Sequence, residues 1–217
     1  MRLAALLVLA GGLAAADGPR IEYSKSFPGS VPAFVAVTLE QNGDGLYKEA
    51  PDDENPLKFK LTEAEAGEIF ALAQKLDYFK RPLESSAKVA FMGMKTFRWE
   101  NGAEKGEVKF NFSEDVTARA ISDWFERIVE SELLYIGLER AAKYDKLGVV
   151  KALLQLEASM DRKRLVAASQ YLPLLDRIVK NESYMHTARA RAAAIADAIR
   201  AGGQAAGAQP AAADPAK

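Results

Sequence analysis

Two stretches with the pattern of paired β-strands, each followed by an amphipathic helix, constrain the fold of this chain most. In residues 31–40, apolar side chains recur at every second position, which is the period of a half-buried strand. A glycine-containing polar turn over residues 41–45 returns the chain into a second strand at 46–49, and residues 57–61 alternate again. The pattern predicts short antiparallel strands joined by tight turns.

The first helix has a clear start signal. Thr62 and Glu65 have the spacing of a capping box, in which the threonine hydroxyl accepts a hydrogen bond from a free backbone amide and the glutamate binds back to the cap. An apolar stripe at helical spacing follows, formed by Ala66, Ile69, Phe70, Ala73 and Leu76. The helix is therefore expected to bury one side.

The second stretch repeats this arrangement. Residues 88–99 and 107–112 read as a hairpin, and Ser113 or Asp115 is placed to cap a helix that runs to about Val129. The two stretches together predict an α+β fold, with a small, mostly antiparallel sheet and two helices packed on one of its faces.

Beyond Leu133 the strand pattern disappears, and the chain is expected to be all α-helical. Asp145 and Asp161 are placed to cap two helices, and Pro173 is expected to end or kink the second of them. A last helix is expected to begin at Ser183 and to close at glycines 202 and 203.

These patterns divide the chain into four parts. Residues 1–16 are predicted to be a signal peptide, 20–131 an α+β domain, 132–202 a helical domain or extension, and 203–217 a disordered tail rich in alanine, proline and glycine.

The signal peptide determines the expected location. Arg2 precedes an apolar run over residues 3–16 that ends in small residues, with Ala14 and Ala16 forming a cleavage site. The run is shorter than the roughly 20 residues that span a bilayer, and no second apolar segment reaches that length. The mature protein is expected to be periplasmic or secreted from a bacterium, and the chain has no cysteine for disulfides.

No motif specifies a catalytic or metal site. Residues 40–45 resemble the start of a calcium loop, but Pro51 occupies the position of the bidentate acid, so a hairpin turn is the better reading. Residues 52–54 form the densest acidic cluster and read as a solvated loop. His186 is the only histidine and has no cysteine or second histidine as a co-ligand. No cofactor and no catalytic residue is predicted.

Charge distribution suggests one candidate surface. Residues 17–131 hold 21 acidic and 15 basic side chains, whereas 132–217 hold 9 acidic and 13 basic ones. The main basic cluster consists of Arg162, Lys163, Arg164, Arg189 and Arg191. An ordinary solvated helix surface explains it better than a binding patch, and the pI near 6.0 argues against nucleic acid as a partner.

Aromatic and methionine residues suggest two further surfaces. Phe97 and Trp99 are expected on an exposed face of the sheet. Phe91, Met92 and Met94 are candidates for a pocket or a partner surface, with strand core packing as the default.

The leading functional hypothesis is an exported, non-catalytic interaction or binding module whose partner is an unknown protein or envelope component. Its expected contact surfaces are the sheet face around Phe97 and Trp99 and the groove between the sheet and the helical region. One alternative is a hydrolase of extracellular glycans, which requires two carboxylates about 5–10 Å apart in a cleft. Another is an assembly protein that oligomerises through an apolar patch on its C-terminal helices.

Overall fold

The computed structural model describes residues 18–207. Its sheet has six antiparallel strands in the order β4-β3-β2-β1-β5-β6. The strands are β1 (Arg20–Ser26), β2 (Phe34–Glu40), β3 (Asp44–Lys48), β4 (Leu57–Lys60), β5 (Met94–Asn101) and β6 (Glu104–Phe110).

Five α-helices accompany the sheet, and the first two contribute buried residues to the same core as the strands. They are α1 (Glu63–Lys75), α2 (Val116–Tyr144), α3 (Val149–Asp161), α4 (Leu172–Lys180) and α5 (His186–Gly207). Short 3-10 turns occupy Asp77–Phe79 and Ala168–Tyr171. The predicted α+β class with a helical C-terminal region is confirmed.

The strand register aligns the apolar side chains in rows across the covered face of the sheet. One row runs through Tyr47, Val37, Tyr23, Phe97 and Val108 on five successive strands. All of these side chains are buried. The rows bury a continuous apolar surface, which drives the docking of α1 and α2.

The predicted starts of α1 and α2 are confirmed. The Thr62 hydroxyl accepts the Glu65 amide at 3.2 Å, while the Glu65 carboxylate accepts the Thr62 amide at 2.8 Å. Asp115, one of the two candidates for the second cap, accepts the amides of Thr117 and Ala118 at 2.8 and 3.0 Å. Local hydrogen bonding alone therefore fixes where these helices begin.

The sequence analysis missed strand β1, which lies in the middle of the sheet between β2 and β5. Its alternation is short, because Ile21 and Tyr23 are followed at the next inward position by Lys25. A charged residue on the covered face interrupts the pattern by which strands are recognised.

Helix α2 corrects the helix boundaries. It runs unbroken from Val116 to Tyr144, past Val129, where the helix was expected to end. The buried apolar residues nevertheless form two clusters, with Ile128 in the first and Leu138 in the second. The division into domains at 131/132 stays a prediction.

The C-terminal helices also differ from expectation. Asp161 is the last residue of α3 and not a cap, and Pro173 stands in the first turn of α4, where a missing N–H is harmless. Helix α5 begins at His186, not at Ser183, and continues through Gly202 and Gly203, where it was expected to end, to Gly207. The disordered tail over residues 203–217 stays a prediction. The predicted signal peptide and residues 208–217 lie outside the described residues.

A left-handed turn after α1 covers the edge of the sheet. Asp77, Tyr78 and Phe79 have φ values of 52°, 50° and 65°, which are unfavourable for residues with a Cβ. The turn places the Tyr78 ring 4.5 Å from Trp99, measured between ring centroids. It is possible only because Gly106 lies beneath it, since a Cβ there would stand 1.9 Å from the Tyr78 carbonyl oxygen.

We therefore expect Gly106→Ala to lower the free energy of unfolding by about 3 kcal/mol, because the added methyl forces the turn off the sheet. Gly67→Ala is the matched control: a Cβ at this exposed position of α1 meets nothing within 4 Å, so it should stabilise by roughly 0.5–1 kcal/mol. Urea unfolding measures both. Equal effects of the two substitutions would contradict the packing of the turn.

Candidate functional site

A groove of about 650 Å³ lies where the β4–α1 connection meets the C-terminal helices. We call it the junction groove, and its apolar lining includes Leu61, Met160, Leu165, Ala168, Ala198 and Ile199. A concave, mainly apolar surface of this size is typical of ligand sites. It also lies where the sequence analysis expected a groove between the sheet and the helical region.

The two charged side chains of the groove lining are already bonded within the fold. The Lys60 ammonium lies 2.8 Å from the Asp44 carboxylate. Glu65, the other charged residue of the lining, is held in the capping box with Thr62. The groove therefore offers apolar contact more than reactive groups.

One wall of the groove belongs to a segment that crosses α2, the crossing segment (residues 164–171). Arg164 anchors its start, donating from Nε to Glu130 Oε2 at 2.6 Å and from Nη1 to Asp123 Oδ1 at 3.0 Å. These carboxylates lie on α2. Charge-assisted bonds of this kind are stronger than neutral ones and fix orientation as well as distance.

Ser131 holds the middle of the crossing segment. Its hydroxyl accepts the backbone amide of Val166 at 3.1 Å, and its carbonyl accepts the hydroxyl of Tyr171 at 2.5 Å. Because Ser131 and Tyr171 are fully buried, losing either bond would leave polar atoms unsatisfied in the core.

Glu132 is a fully buried carboxylate beside this anchor. Its Oε1 accepts the side-chain amide of Gln170 at 2.7 Å, whereas Oε2 has no hydrogen-bond partner among the residues that the structure describes. Burial raises the pKa of the Glu132 carboxyl to about 7, and the bond from Gln170 opposes that rise. Glu132 supports the groove wall without lining the groove.

The prediction that Phe97 and Trp99 lie on an exposed face of the sheet is wrong. Phe97 is 0% and Trp99 4% exposed, because α1, α2 and the left-handed turn cover the aromatic face of the sheet. The uncovered face presents Arg98 instead, which pairs with Glu107 at 2.5 Å and with Glu22 at 3.8 Å. Period-two alternation shows which side chains share a face, but not which face is covered.

Most of the predicted basic cluster is bonded within the fold. Arg162 and Arg164 both pair with Glu130, at 3.5 and 2.6 Å, and Arg191 pairs with Glu157. Arg189 donates from Nε to the Val179 carbonyl at 3.1 Å. Lys163 is exposed and has a φ of 56°. A role of these five residues in partner binding stays a prediction.

The remaining candidates occupy the surface. The acidic cluster lies in the β3–β4 loop, where Asp53 accepts the Asn55 amide at 2.9 Å. His186 is exposed at the first residue of α5. Asn42 accepts the Asp44 amide at 2.9 Å in the turn that resembled a calcium loop. Over residues 18–207, no group of three or more acidic or histidine side chains is arranged to hold a metal ion.

Core packing was the default expectation for Phe91, Met92 and Met94, but their side chains do not lie in the core. They are 52%, 41% and 38% exposed, and the Phe91 ring meets the edge of Phe27 at 5.8 Å between centroids.

Of the helices in the described part of the chain, none is long and apolar enough to cross a membrane.

Glu132 yields a pH-dependent prediction. Its folded-state pKa lies above the value of about 4.3 for an unfolded glutamate, so between these values the folded state holds a proton that the unfolded state has released. The protonated Glu132 carboxyl therefore contributes to the free energy of unfolding at low pH, and this contribution is lost as the pH rises toward 7. At pH 8 we expect Glu132→Gln to raise the free energy of unfolding by roughly 1–3 kcal/mol.

Chemical unfolding at pH 5 and pH 8 measures this difference. Glu130→Gln is the control, because it removes the partner of Arg162 and Arg164 and should destabilise the protein at pH 8. If Glu132→Gln unfolds with the wild-type pH dependence, Glu132 does not carry the shifted proton.

The sequence matches no protein-family model and shows no significant similarity to any curated protein.

Proposed function

We propose that this chain is an exported, non-catalytic binding module, and that the junction groove receives an apolar segment of a protein or other envelope component. The observation that carries the proposal is the groove itself, a mainly apolar concavity of about 650 Å³ between the two hydrophobic clusters. Apolar concave surfaces are where proteins gain most from burying a partner.

The lining favours an extended partner over a compact one. Ala168, Ala198, Gly202 and Gly203 present small side chains or none, so a partner backbone can approach the groove closely. Leu165 and Met160 supply larger apolar contacts beside them, and methionine adapts to varied shapes.

Binding is favoured over catalysis by the state of the charged groups in the groove. General acid–base or nucleophilic chemistry needs a group free to exchange a proton or to attack. Lys60 and Glu65 are instead engaged with Asp44 and with the Thr62 cap. The glycan-hydrolase alternative also needs a second carboxylate across the cleft, and Glu65 is the one acidic residue of the lining.

The assembly alternative has one observation in its favour. Tyr144 is the last residue of α2, and Leu147 lies three residues further along the chain; their side chains are 73% and 75% exposed. A concentration-dependent molar mass by light scattering, lost when both are changed to serine, would favour assembly through these helices.

The groove proposal is tested by filling the groove. Ala198 and Ala194 are both exposed on α5, but only Ala198 belongs to the groove lining. A photo-crosslinking residue at Ser169, on the groove wall, reports the partner in cells. Ala198→Trp should reduce the adduct by roughly tenfold or more, because the indole occupies the partner's place, whereas Ala194→Trp should leave it unchanged.

Equal thermal unfolding midpoints for the two tryptophan variants establish that the fold is intact. An adduct that survives Ala198→Trp, or no adduct from Ser169, overturns the groove as the binding site. Export is tested separately: the mature protein in the periplasmic or secreted fraction should begin at Asp17 by mass spectrometry.

A further inference from the structure

Two lysines face each other on the covered side of the sheet. Lys25 on β1 and Lys95 on β5 are directly opposite in the antiparallel register. The inward positions next to them on these strands hold Tyr23 and Phe97, which are buried in the core. Like charges directly opposite one another destabilise a sheet, and charges on the covered face break its pattern. Such local conflicts are expected at functional sites.

The two lysines differ in how the fold satisfies them. The Lys25 ammonium lies 3.3 Å from Glu126 Oε1 on α2. Lys95 is only 7% exposed, and its ammonium donates one hydrogen bond, to the Asn111 carbonyl at 3.1 Å. Within residues 18–207, no carboxylate lies within ion-pair distance of Lys95. An ammonium has three donors, so two of them remain available.

A pocket of about 300 Å³ opens beside Lys95, and we call it the lysine pocket. Its wall includes Lys25, Lys95, Arg119, Met92, Phe110 and Phe112. Arg119 is exposed, and its guanidinium has no ion-pair partner in the part of the chain that the structure describes. The pocket therefore combines two cationic donors without carboxylate partners and an apolar wall.

The acidic groups around the lysine pocket are occupied. Asp123 pairs with Arg164 at 3.0 Å, and Glu126 pairs with Lys25. Glu84, which also acts on Lys95 electrostatically, accepts the backbone amide of Asn111 at 2.6 Å. These negative charges disfavour a multiply charged ligand, while Lys95 and Arg119 remain to attract a single negative charge.

We propose that the lysine pocket binds the carboxylate of a small organic acid with an apolar body. The carboxylate accepts hydrogen bonds from the Lys95 ammonium and the Arg119 guanidinium, and the body packs on Met92, Phe110 and Phe112. The ligand carboxylate places a negative charge next to the buried Lys95 ammonium, at the two donors that residues 18–207 leave without a partner. The site is separate from the junction groove.

The electrostatics of the unliganded pocket agree with this assignment. Burial, and next to it the charge of Lys25, lowers the pKa of the Lys95 ammonium. Since a bound carboxylate favours the charged amine, ligand binding should be accompanied by proton uptake at high pH.

The probe for the test is hexanoate, which carries one carboxylate and a short apolar chain. The methyl group of Met92, labelled with carbon-13 and assigned through Met92→Leu, reports binding by NMR titration of the full mature chain. We expect saturable shifts with hexanoate at millimolar or lower concentration and at least tenfold weaker effects with hexanol, which lacks the charge.

Lys95→Met should reduce hexanoate binding at least tenfold, and Arg119→Gln should weaken it as well. Lys109→Met is the control, because Lys109 lies on β6 with an exposed side chain paired with Glu107. Lys95→Met removes a buried unpaired charge, so it is expected to fold and to raise the thermal midpoint. Arg119→Gln changes an exposed residue and gives a second variant independent of core packing.

Four outcomes overturn the proposal: no saturable shift with hexanoate, equal binding of hexanol, equal binding to Lys95→Met, or binding of inorganic phosphate in place of hexanoate. Ala198→Trp should leave the hexanoate titration unchanged, because the lysine pocket and the junction groove share no lining residue. The two proposals are therefore tested independently.

Discussion

Helix α2 belongs to both hydrophobic clusters, and the rest of the structure depends on that sharing. Its N-terminal part packs Ile121, Phe125 and Ile128 against the sheet, while Leu138 enters the helical cluster. A helix of 29 residues is about 44 Å long, enough to span two packed layers. The two clusters are thus held in one arrangement by a continuous backbone, without a linker between the layers.

The crossing segment completes this arrangement in the middle of α2. Three consecutive helix residues, Glu130, Ser131 and Glu132, bind it through a carboxylate, a hydroxyl with its carbonyl, and a second carboxylate. These bonds position one wall of the junction groove. A buried polar network of this kind specifies a single arrangement when its members are satisfied. Because Glu132 Oε2 has no hydrogen-bond partner within residues 18–207, this arrangement is sensitive to the protonation of the Glu132 carboxyl.

Local signals in the sequence predicted some elements well and others poorly. The caps at Thr62 and Asp115 were predictable because each helix start is decided by hydrogen bonds over three residues. Strand β1 was missed because Lys25 stands at an inward position. Lys25 also lines the lysine pocket. The residue that interrupts the strand pattern therefore belongs to the proposed binding site, where such local conflicts are expected. A groove between the sheet and the helical region was expected, but no residue was predicted to line it.

The sequence by itself determined the α+β class, the polar turn after β2 and the starts of α1 and α2, because periodicity and capping act over a few residues. Only the tertiary structure decided which face of the sheet is covered, and hence that Phe97 and Trp99 are buried and Arg98 is exposed. It also decided that Arg164 binds Asp123 and Glu130, which are 41 and 34 residues away in the chain. Such contacts depend on how whole elements pack, which no local pattern records.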